Sequence, residues 1–169
     1  NSDARCNLAC PSCRDEKIVK LEKGQKEEMY YAIGLLKKYR DSIEKIKMCG
    51  DGEVFFSPWL KKILKVCHRG NLKNLQGITI LTNGLLLTPK MYEKLSPGIN
   101  YVEEISVSID AGNKEAYKIA RGGNWSKLME NLGFIRRLHQ TGKIERFYIT
   151  FVVRKENYKS IPDFVEMGK

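Results

Sequence analysis

Short runs of β-branched and aliphatic residues alternate with longer amphipathic stretches along this sequence. Residues 78–81 and 105–109 have the two-residue period of strands, whereas residues 27–40 and 125–140 repeat apolar residues at helical spacing. Strands that alternate with helices of this length indicate βαβ units and a parallel sheet. We therefore predict an α/β fold. A weak strand is predicted at residues 44–49, and the last strand at residues 147–153.

Capping residues mark where several of the helices begin. Ser57 precedes Pro58 and Thr88 precedes Pro89, which is the order of an N-cap followed by proline in the first turn. We expect the first of these helices to end near Gly70, and a last helix to begin around residues 161–162. The predicted apolar stripes are Met29, Ile33, Leu36 and Tyr39 in one helix, and Leu60, Ile63, Leu64 and Cys67 in the next.

The loops that follow the predicted strands contain most of the unusual residues in the chain. These loops are residues 49–57, 82–87, 110–113 and 154–158. In parallel α/β sheets, functional residues lie in the loops at the carboxyl ends of the strands. We therefore expect a functional site at that edge of the sheet.

Three of the five cysteines, Cys6, Cys10 and Cys13, lie within eight residues in the spacing CxxxCxxC. An odd count with such crowding indicates metal or redox chemistry rather than a disulfide framework. Cubane iron–sulfur clusters usually take four thiolates, so three would leave one iron open to another ligand. A structural zinc ion instead needs four protein ligands, which Cys67 and His68 could complete. Cys67 lies on an apolar stripe, which favours packing as a small hydrophobe, but spacing alone leaves zinc open.

A second motif, Gly50-Asp51-Gly52-Glu53, follows the next predicted strand. Together with the cysteine spacing, it resembles the radical S-adenosylmethionine (SAM) superfamily. Three further segments fit that family: Thr82-Asn83-Gly84, Ser108-Ile109-Asp110, and Tyr117 through Arg121-Gly122-Gly123. The resemblance is greatest to members with SPASM-type C-terminal domains, which act largely on peptides and proteins. It implies a partial (β/α)6 TIM-like barrel, with residues 1–169 as one core domain that lacks its first strand and its C-terminal part.

The resemblance implies that Cys6, Cys10 and Cys13 hold a 4Fe–4S cluster whose fourth iron binds the methionine part of SAM. An electron passed through the cluster then cleaves SAM to methionine and a 5′-deoxyadenosyl radical, which abstracts hydrogen from the substrate. The implied partners are a flavodoxin- or ferredoxin-like electron donor and a peptide or protein substrate. A small metabolite or carbohydrate is the alternative substrate.

The resemblance also implies roles around the SAM site, each with a simpler structural alternative. Glu53 would accept hydrogen bonds from the methionine ammonium group, or it is a solvated loop carboxylate. Arg121 would bind the methionine carboxylate through two parallel bonds, or it forms a surface ion pair. Ser108 alternates with the aliphatic residues of its strand, so it should face the interior, where it would contact SAM or be satisfied internally.

The remaining implied residues lie in the same loops. Gly50 and Gly52 would let the backbone approach the ligand, or they are turn glycines. Asn83 would border the cofactor, or it is a turn residue that tolerates positive φ. Asp110 would contact the ribose or substrate, or it caps the helix that follows. Cys49 would donate hydrogen near a radical, or it is a buried strand cysteine.

Three positions depart from the family pattern. Asp51 replaces the usual middle glycine, so its side chain must point outward or alter the backbone contact. Val54 stands where a proline is common. Ser12 replaces the aromatic residue that packs on adenine in many members, which leaves the adenine contact unassigned.

Composition bears on location and partners. No apolar run approaches the roughly 18–20 residues that cross a bilayer, and residues 1–5 do not resemble a signal peptide, so we expect a cytoplasmic protein. The net charge of +10 favours acidic partners. The lysines occur in short runs on predicted helix surfaces, such as Lys37-Lys38 and Lys61-Lys62, which argues against nucleic-acid binding. A zinc module that binds nucleic acid remains the rival hypothesis.

Overall fold

The computed structural model describes residues 3–21 and 24–169; residues 1–2 and 22–23 of the predicted core domain lie outside the described residues. The chain forms a parallel sheet of four strands in the order β1-β2-β3-β4. The strands are β1 (Lys45–Met48), β2 (Gly77–Thr82), β3 (Val102–Ser108) and β4 (Arg146–Thr150). The helices are α1 (Gln25–Lys38), α2 (Pro58–Val66), α3 (Pro89–Lys94), α4 (Lys114–Ala120), α5 (Trp125–Gln140) and α6 (Ile161–Met167), with 3₁₀ turns at Gly98–Tyr101 and Tyr158–Ser160.

The order of the strands in the sheet equals their order in the chain, and helices separate all of them. This arrangement confirms the predicted α/β fold built from β/α units. The registers pair Met48 with Ile80, Thr82 with Val107, and Ser108 with Thr150. Because all neighbours are parallel, the carboxyl ends of the four strands lie along one edge of the sheet.

The predicted caps form as expected. Ser57 Oγ accepts a hydrogen bond from the Leu60 amide at 3.0 Å, and Thr88 Oγ1 accepts one from the Met91 amide at 3.2 Å. Helix α2 ends at Val66 and not near Gly70, because Cys67 leaves the helical region with ψ of 81°.

The apolar stripes of α1 and α2 belong to the hydrophobic core or pack against it as predicted, with one exception. Tyr39 is 47% exposed because α1 ends at Lys38, one residue before it. The side chains of Met29, Leu64 and Cys67 are completely buried. The largest fully buried side chains of the core are Tyr117, Phe55, Met29, Leu64, Leu75, Ile78, Ile80, Leu87, Leu95, Ile99, Ile105 and Ile109.

Charged side chains join the amino ends of β1, β3 and β4. Arg146 lies 2.8 Å from a carboxylate oxygen of Glu104 and 3.1 Å from one of Glu103, and Lys45 reaches Glu103 at 3.0 Å. In β/α folds of this kind, contacts at the amino ends of the strands contribute to stability, whereas the chemistry takes place at the carboxyl ends. Among the described residues, no helix is both long and apolar enough to cross a membrane.

Candidate functional site

A cavity of about 190 Å³ lies at the carboxyl edge of the sheet. Every residue predicted to bind the cluster or SAM borders it except Asp110. These residues are Cys6, Cys10, Cys13, Gly50, Asp51, Gly52, Glu53, Asn83, Ser108 and Arg121, and they are joined by Leu8, Arg14, Leu81 and Thr82. Segments that are far apart in the sequence therefore meet at one space.

A tight turn forms the cysteine loop. The amides of Cys13 and Arg14 both donate to the Cys10 carbonyl, at 2.8 and 3.1 Å, while the Cys6 amide donates to Ile18 O at 2.9 Å. Cys6 and Cys10 are buried, and Cys13 is exposed. Burial raises the pKa of the Cys6 thiol, although the Leu8 amide, 3.4 Å from its sulfur, lowers it in part.

Each of these three cysteine sulfurs lies near a nitrogen donor from a side chain. Asn83 Nδ2 is 3.8 Å from Cys6 Sγ, and Arg121 Nη1 is 3.8 Å from Cys10 Sγ. Arg14 Nη2 is closer, at 3.2 Å from Cys13 Sγ. Two of the three donors are cationic, and positive charge favours the thiolate, which is the form that binds metal.

Gly52 lies directly against the start of the cysteine loop. A Cβ atom at Gly52 would be 2.7 Å from Arg5 O and closer still to Asp3 O, and no L side chain fits there. The next amide, Glu53 N, donates to Arg5 O at 2.9 Å. Close approach between two backbones, and not a turn, therefore accounts for Gly52.

Asp51 resolves its departure from the family pattern by pointing outward. Its side chain is exposed, while its carbonyl oxygen accepts a hydrogen bond from Arg14 Nη2. Gly50 beside it is also exposed, at the rim of the cavity.

Asp3 binds Arg5 at the start of the cysteine loop, and no sequence motif predicts this contact. Its buried carboxylate accepts bonds from Arg5 Nε and Nη2 at 2.8 and 2.6 Å, and from the Ser57 hydroxyl. Burial alone would raise the pKa of Asp3, but these hydrogen bonds outweigh it and lower the pKa. Asp3 thereby joins the cysteine loop to the N-cap of α2.

Glu53 is only 1% exposed, so the alternative of a solvated loop carboxylate is wrong. Its Oε1 accepts from Thr82 Oγ1 at 2.6 Å and from the Phe55 amide at 3.1 Å, and its Oε2 accepts from the Asn83 amide at 2.7 Å. Burial raises the pKa of Glu53, against the opposing effect of these bonds. Among the described residues, the Asn83 amide donates to Oε2, which can accept a second hydrogen bond, for example from a cationic amino group.

Asn83 borders the cavity and also supports the turn that follows β2. The residue with positive φ is Gly84, at 78°, so Asn83 does not adopt the left-handed conformation that the alternative allowed. Asn83 Nδ2 donates to Asn7 Oδ1 at 2.9 Å, and its own Oδ1 accepts from the Leu85 amide at 3.1 Å. The side chain is thus held between the cysteine loop and the end of β2.

Asp110 orients Arg121. Asp110 has a φ of 55° and lies 2.8 Å from Arg121 Nη2 through Oδ2, while its Oδ1 accepts from the Val152 amide at 2.8 Å. Asn113, and not Asp110, is the N-cap of α4. Arg121 therefore forms an ion pair, but its side chain is only 16% exposed, so the pair does not lie at the surface as the alternative predicted. Its Nε is buried without a hydrogen-bond partner in the described part of the chain.

The other predicted positions give mixed outcomes. Ser108 is half-buried and borders the cavity as expected, with Thr150 Oγ1 at 3.4 Å from its hydroxyl. Cys49 is exposed, so the buried-strand alternative is wrong, because β1 ends one residue earlier. Val54 is buried and Ser12 is exposed. Tyr117 carries a buried hydroxyl that has no partner among the described residues.

Cys67 lies in a different part of the molecule from the three site cysteines. It is fully buried, lines a separate cavity of about 680 Å³ beside Ile63 and Leu72, and burial raises the pKa of its thiol to about 12. This position confirms that Cys67 packs as a hydrophobe. Within residues 3–21 and 24–169, no three His, Cys, Asp or Glu side chains are grouped to hold one metal ion.

The residues around the 190 Å³ cavity fit a cluster with SAM better than a single ion. In a cubane each thiolate binds its own iron, so three cysteines need only border a common space, as Cys6, Cys10 and Cys13 do. Arg121 borders that space and has a buried Nε without a partner among the described residues, whereas buried polar groups normally have partners.

Comparisons with known proteins identify the family of the chain. Residues 3–168 match the family model described as the radical SAM superfamily. The chain is 29% identical over 169 residues to Molybdenum cofactor biosynthesis protein 1 of Dictyostelium discoideum, covering 98% of this chain and 25% of that protein. It is 27% identical over 172 residues to AdoMet-dependent heme synthase of Methanosarcina barkeri (strain Fusaro / DSM 804), covering 98% and 45%.

The fold resembles that of Streptococcus suis SuiB bound to the precursor peptide SuiA, with a TM-score of 0.65 at 18% identity, over 98% of this chain and 34% of that one. The chain thus spans a quarter to just under half of these curated relatives. The chain belongs to the radical SAM superfamily, whose members are enzymes that use a 4Fe–4S cluster and SAM.

Proposed function

We propose that this chain, residues 1–169, is one core domain of a radical SAM enzyme in which Cys6, Cys10 and Cys13 ligate the 4Fe–4S cluster. The observation that carries the proposal is the common cavity, because three thiols and the side chains of Glu53 and Arg121 border it together. A cluster held by three cysteines leaves one iron for SAM, which needs an acceptor for its ammonium and a donor for its carboxylate.

The side chains divide these tasks by charge. Glu53 accepts hydrogen bonds from the SAM ammonium through Oε2, since its Oε1 is already held by Thr82 and the Phe55 amide. Arg121 presents its unpaired Nε to the SAM carboxylate while Asp110 fixes the other end of the guanidinium. Ser108 and Asn83 contribute neutral hydrogen-bond donors on the same wall.

The backbone completes the SAM site. Gly50 and Asp51 form the exposed rim of the cavity, and Gly52 holds that rim against the cysteine loop. When bound, the cluster supplies the electron that cleaves SAM reductively and so generates the radical that abstracts hydrogen. The chain's own residues orient the two cofactors, and the buried Leu8, Cys6 and Cys10 keep water from the inner side of the cavity.

We propose a peptide or protein as the substrate. Two observations support this choice: the sequence resembles SPASM-associated members, and the fold resembles that of SuiB, which was solved with a precursor peptide. A small-molecule substrate is the second candidate, because the curated relatives include a protein named heme synthase and one named GTP 3′,8-cyclase.

An acidic, low-potential electron carrier of the flavodoxin or ferredoxin type is the proposed donor. The chain has a formal net charge of +10, and opposite charge accelerates association between proteins. Because this attraction is electrostatic, the rate at which the donor reduces the cluster should depend on salt concentration.

The decisive experiment compares wild type, Cys10→Ala and Cys49→Ala after anaerobic reconstitution with iron and sulfide. Cys49 is a matched control because it is an exposed cysteine that does not border the cavity. We expect wild type and Cys49→Ala to be brown and to form 5′-deoxyadenosine from SAM and dithionite, whereas Cys10→Ala does neither. A colourless wild type with one tightly bound zinc ion and no cleavage product would contradict the proposal.

The substrate class can be tested with the same product. A cell extract is divided by size into peptide and metabolite fractions, and each is added to the reconstituted protein with SAM and reductant. A peptide substrate predicts that the larger fraction stimulates 5′-deoxyadenosine formation and that protease treatment abolishes the stimulation. Stimulation by the metabolite fraction alone would favour the small-molecule candidate instead.

A further inference from the structure

Arg14, which follows the last cysteine of the motif, makes three contacts around the cavity. Its Nη1 donates to Ala4 O at 2.5 Å, and its Nη2 lies 3.2 Å from Cys13 Sγ and also donates to Asp51 O. A single guanidinium therefore connects the backbone at Ala4, the Cys13 thiol and the loop of residues 50–53.

These contacts need the geometry of arginine. The planar fork of a guanidinium presents donors in two directions at once, whereas a lysine ammonium is a compact point charge. The contact is with the backbone of Asp51, so it does not depend on the side chain that replaces the usual glycine. The Asp51 carbonyl turns toward Arg14, and its side chain is left exposed.

A cation that donates to a thiolate ligand changes the energetics of an iron–sulfur cluster. Reduction adds negative charge to the cluster, and a nearby cation or N–H donor stabilises the more negative state. The reduction potential therefore becomes more positive when such a donor is present. Arg14 is better placed for this effect than Arg121 or Asn83, whose nitrogens are 3.8 Å from their sulfurs.

We propose that Arg14 is a positioning residue that fixes Cys13 against the 50–53 loop and raises the reduction potential of the cluster. The proposal rests on the proposed ligation of the cluster by Cys6, Cys10 and Cys13. The electron itself comes from the external low-potential donor, and the couple is a one-electron reduction of the oxidised cluster. Arg14 neither gains nor loses an electron or a proton in this step.

The test is a redox titration of the reconstituted cluster without SAM, followed by electron paramagnetic resonance (EPR). The variants are Arg14→Gln and Arg14→Lys, and Lys17→Gln is the control because Lys17 is an exposed cation on the same segment. At the potential that half-reduces wild type, we expect the ratio of reduced to oxidised cluster to fall about tenfold in Arg14→Gln. For a one-electron couple that is a shift of about 59 mV to more negative potential.

Arg14→Lys should have an intermediate potential, because it keeps the charge but cannot hold all three acceptors. If Arg14→Gln does not retain a cluster, Arg14→Lys carries the test through the same comparison with Lys17→Gln. Equal potentials in wild type, the measurable Arg14 variants and Lys17→Gln would overturn the inference while leaving the proposed function intact. A wild type that binds no cluster would instead refute the proposed ligation and, with it, the tuning role.

Discussion

Replacing Gly52 with alanine should separate the two loops that build the cavity. The added Cβ would lie 2.7 Å from Arg5 O and closer to Asp3 O, and both neighbours are backbone atoms that cannot swing aside. Overpacking of this kind costs about 1–3 kcal/mol. Movement of the loop also breaks the 2.9 Å bond from Glu53 N to Arg5 O, for about 1 kcal/mol more.

We therefore expect Gly52→Ala to lower the free energy of unfolding by about 2–4 kcal/mol in the metal-free protein. For a chain of this size, about 2–4 °C of melting temperature corresponds to each kcal/mol. The assay is thermal and urea unfolding followed by circular dichroism, together with the iron content after reconstitution. The variant should also retain less iron, because the same contact aligns the cysteine loop.

Gly34→Ala is the matched control, with an effect of opposite sign. Gly34 lies inside α1, and a Cβ there meets nothing within 4 Å. Alanine in a helix interior is about 1 kcal/mol more favourable than glycine, so this variant should be more stable than wild type. A Gly52→Ala protein as stable as wild type, with full iron content, would refute the close-packing argument.

Three further predictions concern Glu53, Tyr117 and the electron donor. Burial raises the pKa of Glu53, so its ionised form opposes folding at neutral pH. Relative to Glu53→Gln, wild type should therefore gain stability as pH falls through that raised pKa toward 4.5. Urea unfolding at several pH values measures this difference. A wild type that loses stability relative to Glu53→Gln as pH falls over that range would contradict the assigned shift. Tyr117→Phe removes a buried hydroxyl without a partner among the described residues, and it should stabilise the metal-free protein by about 1 kcal/mol or more in the same assay; a loss of stability would mean that the hydroxyl has a partner. Reduction of the cluster by an acidic carrier should slow as salt concentration rises, because of the +10 net charge; stopped-flow rates independent of salt would argue against such a donor.

Periodicity and capping chemistry were sufficient to predict the fold because they act locally. Helix α5 begins at Trp125 and ends at Gln140, as its apolar spacing predicts, and the caps at Ser57 and Thr88 depend on residues at most three positions away. Errors occur at the ends of elements. Helix α1 ends at Lys38 and leaves Tyr39 exposed, and Cys67 leaves the helical region before the predicted end of α2 near Gly70.

The residues of the cavity could be predicted where the residue type and its spacing indicate the chemistry, as they do for Cys6, Cys10 and Cys13. Residues that act through contacts distant in sequence were not predictable. Asp110 resembles an N-cap in the sequence, but its carboxylate pairs with Arg121, eleven positions on, and leaves the cap to Asn113. Arg14 belongs to no motif in the sequence, and its proposed role rests on a contact with Asp51 that only the structure shows.

Cys49 shows the same limit from the opposite direction. Its place beside the second motif suggested either a buried strand residue or a hydrogen donor, and its exposure follows from a strand that ends at Met48. One residue of strand length decides this outcome, and periodicity does not specify strand ends that closely.

The measurement that tests the central claim most directly is the EPR spectrum of the dithionite-reduced, reconstituted protein before and after addition of SAM. If Cys6, Cys10 and Cys13 leave one iron open, SAM binds that iron, and the spectrum of the cluster should change in wild type and in Cys49→Ala. A reduced cluster whose spectrum is unchanged at saturating SAM, or a protein that forms no 4Fe–4S cluster, would contradict the account.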